Sequence, residues 1–120
     1  EAQRIKLAAD LVTNSTGRTL FVLDEPTRGL HATDIDQFLK LLQRLIQEGN
    51  SVMMIEHHPQ AIIASDWIID LGPEGGEAGG YIIDEGAPAE IALRNLGPTG
   101  RMLSELSANG NGRFSFSEKE

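Results

Sequence analysis

Thr19-Leu-Phe-Val-Leu-Asp-Glu-Pro26 constrains this chain more than any other stretch, because four consecutive apolar residues run directly into two carboxylates and a proline. Side chains alternate across a strand, so an unbroken apolar run is apolar on both faces. That is the pattern of a strand covered on two sides, as in a parallel sheet. A parallel neighbour needs a crossover connection. The following residues provide one: Ile35, Phe38, Leu39, Leu42, Leu45 and Ile46 form a wide apolar stripe at helical spacing, Thr33-x-x-Asp36 has the form of a capping box, and Gly49-Asn50 ends the helix. Ser51 to Glu56 then reads as a second strand, Pro59 to Ala64 as a short helix begun by its proline, and Trp67 to Leu71 as a third strand.

Before this run, Ile5, Ala8, Ala9 and Val12 recur at helical spacing, which predicts an amphipathic helix from Glu1 to about Leu11, stopped by Asn14 to Gly17. Beyond it, the glycine-rich segment Gly72 to Gly80 reads as a loop and Tyr81 to Asp84 as a return strand, giving a long-looped hairpin. Pro88 begins a short helix within Ala87 to Asn95, and Thr99 to Leu106 adds a turn or two. From Ser107 the composition shifts to Ser, Asn, Gly and charge, so residues 107–120 read as a disordered tail behind a folded part spanning 1–106. Alternating strands and helices make the expected fold class α/β, with a parallel sheet at its core.

At 120 residues the chain is one domain at most, and folding at that size removes roughly two-thirds of the unfolded surface from water. Its 18 acidic and 10 basic residues leave a net charge of −8. The average field therefore repels phosphate backbones, which argues against nucleic-acid binding by this piece alone. The absence of cysteine excludes disulfides and thiolate metal sites and fits the cytoplasm, the expected location. No apolar run approaches the roughly 20 residues of a membrane span. A first residue of Glu rather than Met is what a cut fragment would show.

In open parallel sheets, ligands bind beyond the carboxyl ends of the strands. The first strand ends in Asp24-Glu25 and the second in Glu56-His57, so ionisable groups from two strands are expected at one edge. Alone, an Asp-Glu-Pro is compatible with a solvated turn and a strand-end His with a surface residue. Together they suit phosphoryl transfer to water. Asp24 can orient Mg²⁺ against the phosphates, Glu25 can take a proton from the attacking water or position it, and a His donor can contact the γ-phosphate. A G-x-x-x-x-G-K-[ST] phosphate cradle is absent, and the Gly72–Gly80 loop carries Glu74 and Glu77 with no Lys.

These residues also carry a resemblance. "EAQRIKLA" looks like the tail of an ABC ATPase signature, "TLFVLDEP" like a Walker B strand, "TRGLH" like a D-loop and "IEHH" like a switch histidine. More narrowly, "LDEPTRGLH", "MIEHHPQAI", "SDWIIDLGPEGGEAGG" and "TGRML" resemble the C-terminal part of the UvrA family, the damage-recognition ATPases of bacterial nucleotide excision repair. The resemblance covers about Glu1 to Leu103. It implies a partial P-loop NTPase domain of ABC type in which Asp24 serves Mg²⁺ through water, Glu25 is the catalytic base and His57 the γ-phosphate sensor. Thr27, Gly29 and His31 would lie on the loop that crosses to the opposite nucleotide site, and Gln3 and Arg4 on the helix behind the signature. Arg28 stands where the family commonly has Thr, and His58 where it commonly has Asn; both read as local variation away from the catalytic positions.

The same resemblance implies ATP and Mg²⁺ as cofactors of a full-length parent, with zinc only outside this segment. The implied partners are the missing N-terminal part of the same chain, a second UvrA protomer, UvrB and damaged double-stranded DNA, with no membrane partner. It also places the P-loop strand between the strand ending at His57 and the one starting at Trp67, so the sheet of this piece is expected to be split, with apolar surface exposed. Alternative readings are a non-catalytic ABC binding module and a fragment of a transporter-type ATPase.

Overall fold

The computed structural model describes residues 2–72 and 79–108, with side chains from residue 6. The elements run α1 (Ala2–Asn14), β1 (Leu20–Asp24), α2 (Ala32–Gln47), β2 (Ser51–Ile55), α3 (Pro59–Ala64), β3 (Ile68–Leu71), β4 (Ile82–Gly86), α4 (Pro88–Arg94) and α5 (Pro98–Ala108). They divide into two compact units, one up to Ala61 and one from Ile62.

In the first unit β1 and β2 pair in parallel, with Leu20 opposite Ser51 and Asp24 opposite Ile55. The crossover is α2, which lies against β2 and α1. Its buried residues Ile35, Leu39, Leu42 and Leu45 recur every three or four positions, so one stripe faces inward, and Leu11 and Phe21 are buried with them. The other face of the sheet carries Leu20, Val22, Met53 and Ile55, each more than half exposed. Thus β1 is apolar on two faces, as its sequence reads, and among the described residues only one of them is covered.

The entrance to β1 and the exit from α2 are fastened together by buried Asn50. Its Oδ1 accepts from the Gly17 and Thr19 N–H groups at 3.1 and 3.0 Å, while Nδ2 donates to Ser15 Oγ and the Leu45 carbonyl, both at 2.8 Å. Beside it Gly49 has φ +109°, and a Cβ there would run into the Gly17 carbonyl oxygen, so the helix exit takes no side chain.

Two sequence expectations change here. His31, not Thr33, is the N-cap of α2, because its extended backbone (φ −73°, ψ 159°) precedes the first helical residue and its carbonyl accepts from Ile35 N at 2.9 Å. Thr33 lies inside the first turn, and Asp36 pairs with Lys40 at 3.0 Å instead of closing a capping box. The last helix also outruns its expected turn or two, because α5 continues to Ala108. Ser107 and Ala108 therefore belong to it, while the rest of the expected tail and residues 73–78 of the expected hairpin loop lie outside the described residues.

The second unit pairs β3 and β4 as the antiparallel hairpin read from sequence, with Asp70 opposite Asp84. Helix α4 packs on β4 and on α5. Ile91, Ala92 and Leu103 make its core, with Ile62, Ile63, Ile68 and Met102 around them. The facing carboxylates diverge in their electrostatics. Arg94 Nε donates to both oxygens of Asp84 at 3.0 and 2.9 Å and holds that carboxyl below its usual range. Burial pushes Asp70 up, and nearby Asp84 adds to this; the Thr99 hydroxyl, 3.3 Å from Oδ1, opposes it only in part. The two strand pairs form separate sheets, the split expected of this piece.

Candidate active site

Parallel pairing brings the carboxyl ends of β1 and β2 side by side, and one further ladder bond, Glu25 N to the Ile55 carbonyl at 2.8 Å, carries the pairing past Asp24. The chain then turns sharply. Arg28 N donates to the Glu25 carbonyl at 3.1 Å and Leu30 N to the Thr27 carbonyl at 3.0 Å, with Glu25 at φ 45° and Gly29 at φ 77°. Both φ values lie in the left-handed region; glycine occupies it freely, a glutamate only at a cost.

That turn aims the Glu25 carboxylate across to the end of β2. Its Oε1 lies 3.2 Å from His57 Nδ1, and its Oε2 lies 3.6 Å from Arg28 Nη1. The sequence expectation for Arg28 is corrected by this contact: the three-residue turn places its guanidinium against the very carboxylate it was expected to stand clear of. The Arg28 side chain is 82% exposed, so the pair is screened by water and weak.

Glu56, one residue before His57, joins the two strand ends. Its Oε1 accepts from Thr27 N at 3.0 Å and from Thr27 Oγ1 at 2.6 Å; its Oε2 accepts from His57 N at 3.2 Å and His58 N at 3.3 Å. Burial alone would raise this carboxyl. The Thr27 hydroxyl and the N–H groups of Thr27, His58 and His57 outweigh it and hold the group below its ordinary value, so it stays ionised. Thr27 is buried, which shields its share of the network from solvent. His58 faces the other way: its Nδ1 accepts from Gln60 N at 3.2 Å and caps α3, a task for which an imidazole acceptor serves as well as an asparagine oxygen.

Of the sequence-predicted residues, Glu25 and His57 meet directly, and Thr27 joins them through Glu56. Gly29 shapes the turn. Asp24 ends β1 with its side chain exposed, and His31 serves α2 through its backbone, with no side-chain capping bond. The side chains of these two take no part in the network. Sequence reading placed Glu56 at the strand end without giving it a task; the available signal was its place directly before a strand-end His and opposite a threonine-bearing turn. No group of three His, Cys, Asp or Glu side chains gathers to hold a metal among the described residues. No described helix is long and apolar enough to cross a membrane.

An α/β unit with two parallel strands, flanking helices and paired acidic and imidazole groups at the strand ends is consistent with part of an ABC-type ATPase domain. The comparisons with known proteins agree. The chain is 53% identical over 106 residues to UvrABC system protein A of Thermus thermophilus, covering 88% of this chain and 11% of that protein. It is 49% identical over 110 residues to UvrABC system protein A of Mycobacterium tuberculosis, covering 92% and 11%. Its fold matches the crystal structure of UvrA2 from Deinococcus radiodurans with a TM-score of 0.77 and 44% identity, over 87% of this chain and 13% of that one. No family model matches the chain. Over most of its length the chain is thus homologous to a segment of UvrABC system protein A, and it spans about one-ninth of the length of those relatives.

Proposed function

We propose that this chain supplies the Walker B, D-loop and switch-histidine segments of the ATP-hydrolysing site of a UvrA-type DNA repair ATPase. The observation that carries the reading is the 3.2 Å approach of Glu25 Oε1 to His57 Nδ1 at the ends of two parallel strands, with Asp24 exposed beside it. The relatives' name places them in the UvrABC system, and the resemblance of the sequence motifs to the UvrA family adds UvrB, a second UvrA protomer and damaged DNA as the partners of the parent.

The residues fit the cofactors this implies. A single exposed carboxylate, without a protein cage, suits Mg²⁺, which keeps several waters and takes one or two carboxylates together with substrate phosphates. Mg²⁺-ATP bound there would supply the γ-phosphoryl group together with a cation to offset its charge. Asp24, at the end of β1, would hold the metal through its water shell. Glu25 would accept a hydrogen bond from the attacking water and take its proton as the water oxygen bonds to the γ-phosphorus and the bond from that phosphorus to the β–γ bridging oxygen breaks, with ADP leaving. His57 turns Nδ1 to Glu25, which leaves Nε2 for the γ-phosphate.

The test is Glu25→Gln in the full-length protein. The amide keeps the shape and removes the base, so bound ATP is trapped and turnover falls by about a hundredfold or more. Unchanged turnover would remove Glu25 from the mechanism. The chain by itself, whose sequence has no phosphate-cradling loop, neither hydrolyses ATP nor binds it tightly. Mg²⁺-dependent hydrolysis by the purified chain that disappears on Glu25→Gln would contradict this.

A further inference from the structure

Glu56 has no place in the chemistry just described, yet it accepts more hydrogen bonds than any other side chain at the two strand ends. One carboxylate takes the N–H and hydroxyl of Thr27 on one oxygen and the N–H groups of His57 and His58 on the other. Every one of these donors lies on a segment that sets a reacting group. Thr27 is two residues beyond Glu25, within the turn closed by Arg28 N to the Glu25 carbonyl. His57 is itself the sensor. A parallel ladder holds the two strands in register only as far as Glu25 N, so past that point nothing in the sheet fixes where the two side chains go.

We infer that Glu56 is a positioning residue: an ionised clasp that fixes the turn after β1 against the His57–His58 segment and so sets Glu25 and His57 at reacting distance. This rests on the catalytic reading of Glu25 and His57. The chemistry of the clasp is specific to a carboxylate. Four donors converge on it and three of them are backbone N–H groups that cannot accept, so an amide in its place would turn its own N–H groups against either the Thr27 N–H or the His57 and His58 N–H groups. Because the same carboxylate holds Thr27 and His57, movement of the D-loop is transmitted to the sensor. A partner that presses on Thr27 to His31 therefore alters the geometry of hydrolysis without touching the nucleotide.

The test uses the full-length protein and compares Glu56→Gln, Glu56→Ala, Thr27→Val, Thr27→Ser and the double variant Glu56→Gln/Thr27→Val, with Glu25→Gln alongside. A displaced reacting group slows the chemical step without weakening binding, so the Glu56 variants and Thr27→Val are expected to lower kcat by about tenfold to a hundredfold with KM within about twofold. Thr27→Ser, which retains the hydroxyl, should recover most of what Thr27→Val loses. The double variant should be no slower than the worse single one, because both break one clasp. Amide exchange then separates positioning from collapse: Thr27, His57 and His58 should lose protection together while Gly17 and Thr19, held by Asn50, keep theirs. Wild-type kcat in the Glu56 variants, with Glu25→Gln inactive, overturns the clasp alone. Additive losses in the double variant, or a rise in KM at constant kcat, also overturn it. An active Glu25→Gln overturns the catalytic reading and the clasp with it.

Discussion

Glu25 carries two demands on one residue. Its φ of 45° puts an L-residue in the left-handed region, where Cβ crowds the backbone, and such a conformation costs about 1–3 kcal/mol and persists only where surrounding structure enforces it. The enforcing contacts are on either side: Glu25 N is bound to the Ile55 carbonyl, and the Glu25 carbonyl accepts from Arg28 N. The strain has a use, since it is this turn that swings the carboxylate from the line of β1 toward His57. Glycine at the position would keep the turn and release the strain. We therefore expect Glu25→Gly to be more stable than Glu25→Ala by about 1 kcal/mol, although both remove the carboxylate. Urea unfolding of the two variants measures the difference. Equal stabilities would mean that the turn is not strained.

At the scale of elements, the site depends on how the loops before β1 and before β2 are held, since a shift of either strand along the other would separate Glu25 from His57. Asn50 performs that task with four hydrogen bonds from a buried side chain. Truncation to Ala strands the Gly17 and Thr19 N–H groups, while the Leu45 carbonyl keeps its bond from the backbone N–H of residue 50, and we expect a loss of about 3 kcal/mol, read as a fall in the urea midpoint. A loss below about 0.5 kcal/mol would show that water replaces the side chain, as it does at ordinary surface sites. The sequence makes the element order legible because period and punctuation agree: Leu20 to Leu23 can only be a doubly apolar strand, and the Ile35–Ile46 stripe only a helix. Asn50 and Glu56 were less legible. Both act through hydrogen bonds to backbone groups some thirty residues away, and a backbone donor leaves no mark in sequence. The start of α2 misled for a related reason, since Thr33-x-x-Asp36 has the composition of a cap, whereas the backbone chose His31, two residues earlier. Asp24 and Glu25 were legible from local sequence; the contact of Arg28 with Glu25 was not, because it depends on the turn that the strained φ creates.

In the first unit the described residues leave one face of the β1–β2 sheet largely exposed. Leu20 and Val22 on β1 and Met53 and Ile55 on β2 form one apolar face, with Val22 directly opposite Met53. Contiguous apolar surface of this kind on a free protein marks a contact surface or an association hazard. The chain spans 11% of its relatives' length, and on the proposed reading the remainder of a full-length protein would cover this face. Two consequences separate this from a surface meant for water. The chain alone should associate as its concentration rises and bind an apolar dye; placing Lys at Val22 and Glu at Met53 should abolish both while leaving its helix content unchanged, since the opposed charges pair across the strands. In the full-length protein the same two substitutions would bury a charged pair where two apolar side chains had packed, so they should lower its stability rather than improve its behaviour. Sedimentation of the chain and thermal unfolding of the parent give the two readings. A chain that stays monomeric and dye-free, or a parent indifferent to the charges, would mean that this face is exposed in the intact protein and that its apolar character has another cause.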